Sequence, residues 1–202
     1  MTKPKLTYFD APASRGEECR LALHLAGVDF EDVRVKGPDW PGTKAQTPFG
    51  SVPTFELPGK PVLAQSNAIL VYIGREHDLH PKDNFEAARH EMIMGHMEDL
   101  RHALAATLRM PDDEKRRVRE ALAETTIPAW CASAEKQITG PFFGGPKLQV
   151  ADLKIFMMVR WLAGGKLDHI PTTIVAAFPK LVGVHDAVRD HAAIQAWYAK
   201  QR

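Results

Sequence analysis

The feature that most constrains this chain is a change of rhythm near residue 77. Up to Glu76, short apolar runs alternate with dense Gly and Pro punctuation; beyond Phe85, apolar residues recur at helical spacing and no convincing strand is left. Such a chain builds an α/β unit followed by an all-α unit, because a sheet face and a helix stripe bury themselves in different ways. With 202 residues there is length for two small domains, expected at 1–78 and 86–202.

The first half reads β-α-β, loop, β-β-α. Leu6 to Phe9 is a short strand stopped at Asp10-Ala11-Pro12. Glu17 to Ala26 sets Cys19, Leu21, Ala22, Leu25 and Ala26 at helical spacing, with Gly27 at C′. Phe30 to Val35 returns to period two, and a strand–helix–strand order favours a parallel pair. Pro38 to Gly50 holds at most a short helix. Val52 to Leu57 and Pro61 to Ala64 flank Pro58-Gly59-Lys60 as a hairpin, after which Ser66 caps the helix SNAILVYIGRE.

The second half reads as long helices over Glu86–Leu108 and Asp112–Lys136, the latter opening on three acids that suit a helix N-terminus. A Gly/Pro loop, Thr139 to Pro146, precedes Val150–Leu162, which is so apolar that it reads as a central buried helix. Pro179 suits the first turn of another helix, and helical segments run to the end.

Charge and cysteine usage exclude several function classes. Lys+Arg number 26 against 25 Asp+Glu, so the net charge of +1 offers no field for nucleic acid or an anionic membrane. Cys19 and Cys131 cannot form a disulfide framework, and a reduced intracellular pair is expected. MTKPKLTYFD does not read as a signal peptide, and no apolar run approaches the ~20 residues of a membrane span. The expected location is the cytoplasm. No P-loop, GxGxxG or metalloprotease motif occurs, and His90 and His96 lack metal-ligand spacing.

Several residues carry candidate chemistry. Tyr8 ends the first strand; from position alone it is a half-buried strand aromatic, yet its phenol is also placed to donate to an anion near a helix N-terminus. Ser14, in the following loop, reads as a helix cap. Pro53, opening a strand after a loop, suits a cis bond that exposes the backbone of Val52 for pairing with an extended, peptide-like ligand. Gln65 and Ser66 put an amide, a hydroxyl and free N–H groups at a helix start, suited to a carboxylate or simply to capping. Trp40, Lys44 and Arg15 are surface residues singly, and an acid-binding set if gathered at one groove. The residues themselves reach a small acidic or peptide-like ligand at the α/β unit.

Over its whole length the chain resembles the cytosolic glutathione transferases, and most of all the sigma class, which includes the glutathione-dependent prostaglandin D synthases. The matching pieces are LTYFD at 6–10, RGEECRLAL at 15–23, FEDVRV at 30–35, DWP at 39–41, PFGSVP at 48–53 and QSNAILVYI at 65–73; MEDL at 97–100 and VADL at 150–153 match more loosely. The resemblance implies a thioredoxin-like N-terminal domain, an all-helical C-terminal domain, a homodimer, and glutathione as co-substrate. It matches Tyr8 to the tyrosine that hydrogen-bonds the glutathione sulfur, and Arg15, Trp40 and Lys44 to residues at the glycine end and its surroundings. Val52 matches the residue whose backbone pairs with the cysteinyl part, and Pro53 the cis-proline after it. Ser51, within the same glutathione-binding stretch, replaces the Gln or Lys often found after PFG at small cost, since the backbone does the pairing. Gln65 and Ser66 match the pair that holds the γ-glutamyl carboxylate, and Asp99 an acid that reaches the neighbouring subunit's glutathione.

Three departures from the family pattern stand out. The loop after Tyr8 is one residue longer, which makes Ser14 a rival for the sulfur. Gln149 replaces the capping Ser or Thr before VAD, while Asp152 remains. Gly95 occupies one position of the carboxylate cluster of metal-responsive members, so no metal is expected. The mechanism implied is attack by glutathione thiolate on a small hydrophobic electrophile, a detoxification chemistry, with Phe9, Pro12, Ala106, Met110 and Trp197-Tyr198 as pocket lining. Isomerisation or peroxide reduction at the same site, or non-catalytic binding, are the alternatives.

Overall fold

The computed structural model describes residues 3–201. By packing, the chain up to Lys82 forms one unit together with the segment from His191 onward, and Asp83–Asp190 forms a second.

In the first unit the order is β1 (Lys5–Phe9), α1 (Ser14–Leu25), β2 (Glu31–Val35), α2 (Trp40–Ala45), β3 (Thr54–Glu56), β4 (Leu63–Ala64) and α3 (Ser66–Glu76). The strands lie in the order β2-β1-β3-β4, with β1 parallel to β2 and the other pairs antiparallel. This is the crossover and hairpin read from the punctuation. Leu6, Leu21, Phe55, Ile69 and Leu70 make its apolar centre. Helix α1 stops where expected: Gly27 takes φ 67°, and the Gly27 and Val28 N–H groups return to the carbonyls of His24 and Leu23 at 3.1 and 3.0 Å. Its start differs from expectation. Ala13 takes the N-cap position and α1 runs from Ser14, which is itself at φ 62°, so the long loop is closed by a left-handed turn at that residue.

The second unit contains α4 (Asn84–Ala106), α5 (Asp112–Ala121), α6 (Ile127–Glu135), α7 (Val150–Ala163) and α8 (Pro179–Asp190). Asp83 caps α4 by accepting the Phe85 and Glu86 N–H groups at 3.0 and 2.9 Å. The single helix expected over 112–136 is interrupted by a wider π-type stretch, Leu122–Thr126. Pro128 has no N–H to return to the carbonyl of Glu124, and a loosened turn accommodates that gap. Helix α7 is buried from Val150 to Val159, as its composition predicts.

The last helix, α9 (Ala192–Ala199), groups by packing with the first unit. It is held against α1 through buried Ile194 and the ring of Trp197.

Candidate functional site

Strand register assembles the candidate site. Thr7, Thr54 and Ala64 form one row across β1, β3 and β4. The next residue outward on each strand is therefore Tyr8, Pro53 and Gln65, and all three leave the sheet at the same edge. Helix α1 starts beyond that edge with Ser14 and Arg15, and α3 starts there with Ser66. Six of the expected site residues thus share one edge with two helix N-termini, a setting that favours anions through helix N–H groups and dipoles.

Tyr8 is 8% exposed and tightly framed. A Cβ at Gly16 would fall 2.0 Å from its Cδ1, so only glycine lets the first turn of α1 lie against the ring. The guanidinium of Arg20 sits 5.8 Å from the ring centroid. Phe9 meets Tyr8 at 5.5 Å and Trp40 at 5.0 Å between centroids, both edge-on. Arg20 is wholly buried and donates to the carbonyls of Phe9 (3.2 Å) and Ala11 (2.9 Å) and to Asp32 Oδ1 (2.9 Å). Its fork thereby pins the chain on both sides of Asp10, immediately after Tyr8.

The Val52–Pro53 peptide is cis, as the proline's position suggests, and Pro53 is buried while Ser51 is exposed. At the start of α3 the N-cap is Gln65, not Ser66, and it takes φ 73°, ψ 116°. Ser66 is the first helical residue and is buried. Ser14 and Gln65, two of the non-glycine residues at positive φ, both lie at this edge. Trp40 opens α2 and is half-buried against Phe9, while Lys44, further along α2, is exposed and runs its Cε past Gly50.

In the helical unit, Asp99 is exposed on α4, Ala106 is exposed at its end, and Met110 is half-buried just beyond. The Trp197 indole is taken up by its own unit: its N–H donates to Glu17 Oε1 at 2.8 Å, and its ring lies beside His24 and Phe30 at 5.2 and 6.4 Å. Pro12 is exposed in the loop before α1.

Gly16, Glu17 and Arg20 lie inside the matching piece RGEECRLAL but carry no role there of their own, because a glycine at a helix start and a Glu–Arg pair three apart look like ordinary helix surface. The signal available was their place on an otherwise apolar helix face. Among the described residues no three His, Cys, Asp or Glu side chains gather as a metal would require.

The sheet edge and the helical half both have counterparts in known proteins. The family model "Glutathione S-transferase, N-terminal domain" matches residues 4–75, and "Glutathione S-transferase, C-terminal domain" matches 98–201. Glutathione S-transferase 1 of Ascaris suum is 42% identical over 133 residues, which is 64% of this chain and 62% of that protein, so the match spans under two thirds of that relative. Hematopoietic prostaglandin D synthase of Gallus gallus is 30% identical over 202 residues, covering 100% of this chain and 98% of its own. A solved structure of prostaglandin synthase D of Nilaparvata lugens superposes with a TM-score of 0.88 at 27% identity, covering 99% of this chain and 98% of that one.

Proposed function

Since this chain belongs to the glutathione S-transferase family in both of its halves, we propose that it conjugates the thiolate of glutathione to small hydrophobic electrophiles. The observation that carries the reading is the shared sheet edge on which Tyr8, Pro53 and Gln65 leave three adjacent strands beside the starts of α1 and α3.

The chemistry follows from the thiol. A free thiol has a pKa of about 8.5, so little of it is ionised near neutrality. A phenol O–H donating to the sulfur stabilises the anion over the neutral thiol, and each unit of lowered pKa corresponds to about 1.4 kcal/mol of that preference. Tyr8 is assigned this donor role. The backbone of Val52 pairs with the cysteinyl part, Gln65 and Ser66 hold the γ-glutamyl carboxylate, and Arg15, Trp40 and Lys44 attend the glycine end. The thiolate then attacks the electrophilic carbon, its lone pair forming the C–S bond as the leaving group departs with its electrons. Phe9 and Pro12 are assigned to the electrophile's side.

The protein acts as a cytoplasmic homodimer on this reading, with Asp99 reaching the partner's glutathione. Support comes from the exposed apolar stripe of Phe85 and Met92 on the same helix as Asp99, and from Phe49, exposed in the loop before β3. Sedimentation at micromolar concentration tests it; a species of about 22.5 kDa would remove the dimer. No metal is assigned, because Gly95 stands where metal-responsive relatives of this class carry a carboxylate, so chelators leave turnover unchanged.

Turnover of glutathione with an aryl halide is the direct experiment. Bound glutathione without any turnover, on aryl halides or peroxides, would replace this reading with a binding role. The full-length likeness to a prostaglandin D synthase favours a second reaction at the same site. In the isomerisation of a prostanoid endoperoxide the thiolate attacks one peroxide oxygen and the O–O bond breaks, the other oxygen leaving as an alkoxide that takes up a proton. Loss of the proton from the carbon that bears the S–O oxygen then forms the carbonyl and breaks the S–O bond, which returns the thiolate. Product analysis with such an endoperoxide separates the two.

A further inference from the structure

We propose that Trp197, on the last helix, is a positioning residue for Tyr8, acting through Glu17 and Arg20. The inference rests on the reading that Tyr8 activates the thiol.

The linkage joins residues 180 apart in sequence. The Trp197 indole N–H donates to Glu17 Oε1 at 2.8 Å, and Glu17 Oε2 accepts from Arg20 Nη1 at 3.4 Å. The side chains of Glu17 and Arg20 are both 0% exposed. A carboxylate removed from water needs hydrogen-bond donors on both oxygens, and those two contacts supply one to each. The indole does not swing freely: its ring lies nearly parallel to Phe30, at 22°, and beside His24.

Arg20 is where this linkage meets the site. It divides its donors between two carboxylates, Glu17 and Asp32, and two carbonyls, those of Phe9 and Ala11. Asp32 is shared in turn with Arg34, whose Nε donates at 2.8 Å. The two carbonyls belong to the residues that carry the chain away from Tyr8, and the guanidinium itself lies over the Tyr8 ring. A Glu17 deprived of the indole N–H has only Arg20 to satisfy it. It then draws the guanidinium toward itself and away from the Phe9 and Ala11 carbonyls. The phenol is left with a looser frame, and a hydrogen bond that discriminates thiolate from thiol depends steeply on aim.

Trp197→Phe tests this: it keeps an aromatic ring beside Phe30 and removes the N–H together with the rest of the indole, whose packing loss is read separately by thermal melting. Arg20→Lys tests the same linkage from its other end, keeping the charge but losing the fork. Each variant of the full chain, with Tyr8→Phe as reference, is titrated by the ultraviolet thiolate band of bound glutathione, alongside calorimetric affinity and thermal melting. Trp197→Phe is expected to raise the bound thiol's pKa by roughly half a unit, about three-fold less thiolate at a fixed pH, with glutathione affinity within about two-fold. The double variant Trp197→Phe/Arg20→Lys is expected to shift it less than the sum of the singles, as residues in one linkage do. A lowered melting temperature with an unmoved titration would show that Trp197 only braces the fold, overturning the inference while the Tyr8 reading stands. If Trp197→Phe does not fold, an unmoved titration in Arg20→Lys overturns it equally. A titration unmoved in Tyr8→Phe would remove the Tyr8 assignment, and the inference with it.

Discussion

Gly16 and Tyr8 are in such close contact that a single methyl group on the glycine would overlap the tyrosine ring, 2.0 Å from Cδ1 and 2.6 Å from Cβ. Because Cβ is among the atoms met, the clash cannot be relieved by rotating the ring alone; β1 or the first turn of α1 has to move. Gly16→Ala is therefore expected to destabilise the protein by about 1–3 kcal/mol, the usual range for overpacking, and to lower turnover by displacing the phenol. Urea unfolding and steady-state rates check both parts; unchanged rates in a folded variant would detach Tyr8's placement from catalysis.

Tyr8→Phe removes a hydrogen bond to an anion, worth roughly 1.5–3 kcal/mol. The bound thiol's pKa is expected to rise by about one to two units, with little change in glutathione affinity, because the other contacts to the tripeptide remain. Ser14→Ala is expected to have little effect on the titration, and little on stability through capping, since Ala13 holds the N-cap position. A large shift in Ser14→Ala with none in Tyr8→Phe would transfer the role to the serine.

Asp152 anchors the start of α7 by accepting the Phe143 N–H at 2.7 Å and the Gln149 N–H at 2.8 Å. Asp152→Ala strands both donors, at roughly 1–3 kcal/mol for each buried group left unsatisfied. Burial pushes the carboxyl up to about 7, partly opposed by those N–H groups. A carboxyl raised on folding contributes stability that is fully present below its ordinary value and is lost as pH rises through about 7. The stability gap between the wild type and Asp152→Asn is expected to narrow from pH about 4 to pH about 8. A gap that widens over this range would mean that the N–H donors outweigh burial.

Cys131 lies fully buried in α6, and burial, with Glu135 nearby, pushes its thiol up to about 12. It is expected to resist alkylation at pH 8 while the protein is folded and to react on denaturation. Cys131→Ala leaves turnover intact on this account. Rapid modification of the native protein, followed by mass spectrometry, would contradict it.

Much of this protein is legible locally. Gly27 at the end of α1, the hairpin turn at Pro58-Gly59-Lys60, the acids opening α5 and the apolar run of α7 each act through the backbone or side chain of their own segment, so short-range chemistry is enough to place them. The pieces LTYFD, PFGSVP and QSN likewise point to strand ends and a helix start, because each carries its own turn or capping signal, and the family resemblance joins them into one site. What tertiary structure alone decided are relationships between distant segments. The contact of Gly16 with Tyr8 depends on how β1 and α1 approach each other. Buried Glu17 takes a hydrogen bond from a tryptophan 180 residues away. The seat of α9 beside α1 and the left-handed turn at Ser14 depend on how loops close over an already packed sheet. Periodicity reports which face of a segment is apolar, but not which other segment will cover it, and a charged pair on a helix reads as solvated until a neighbour removes the water.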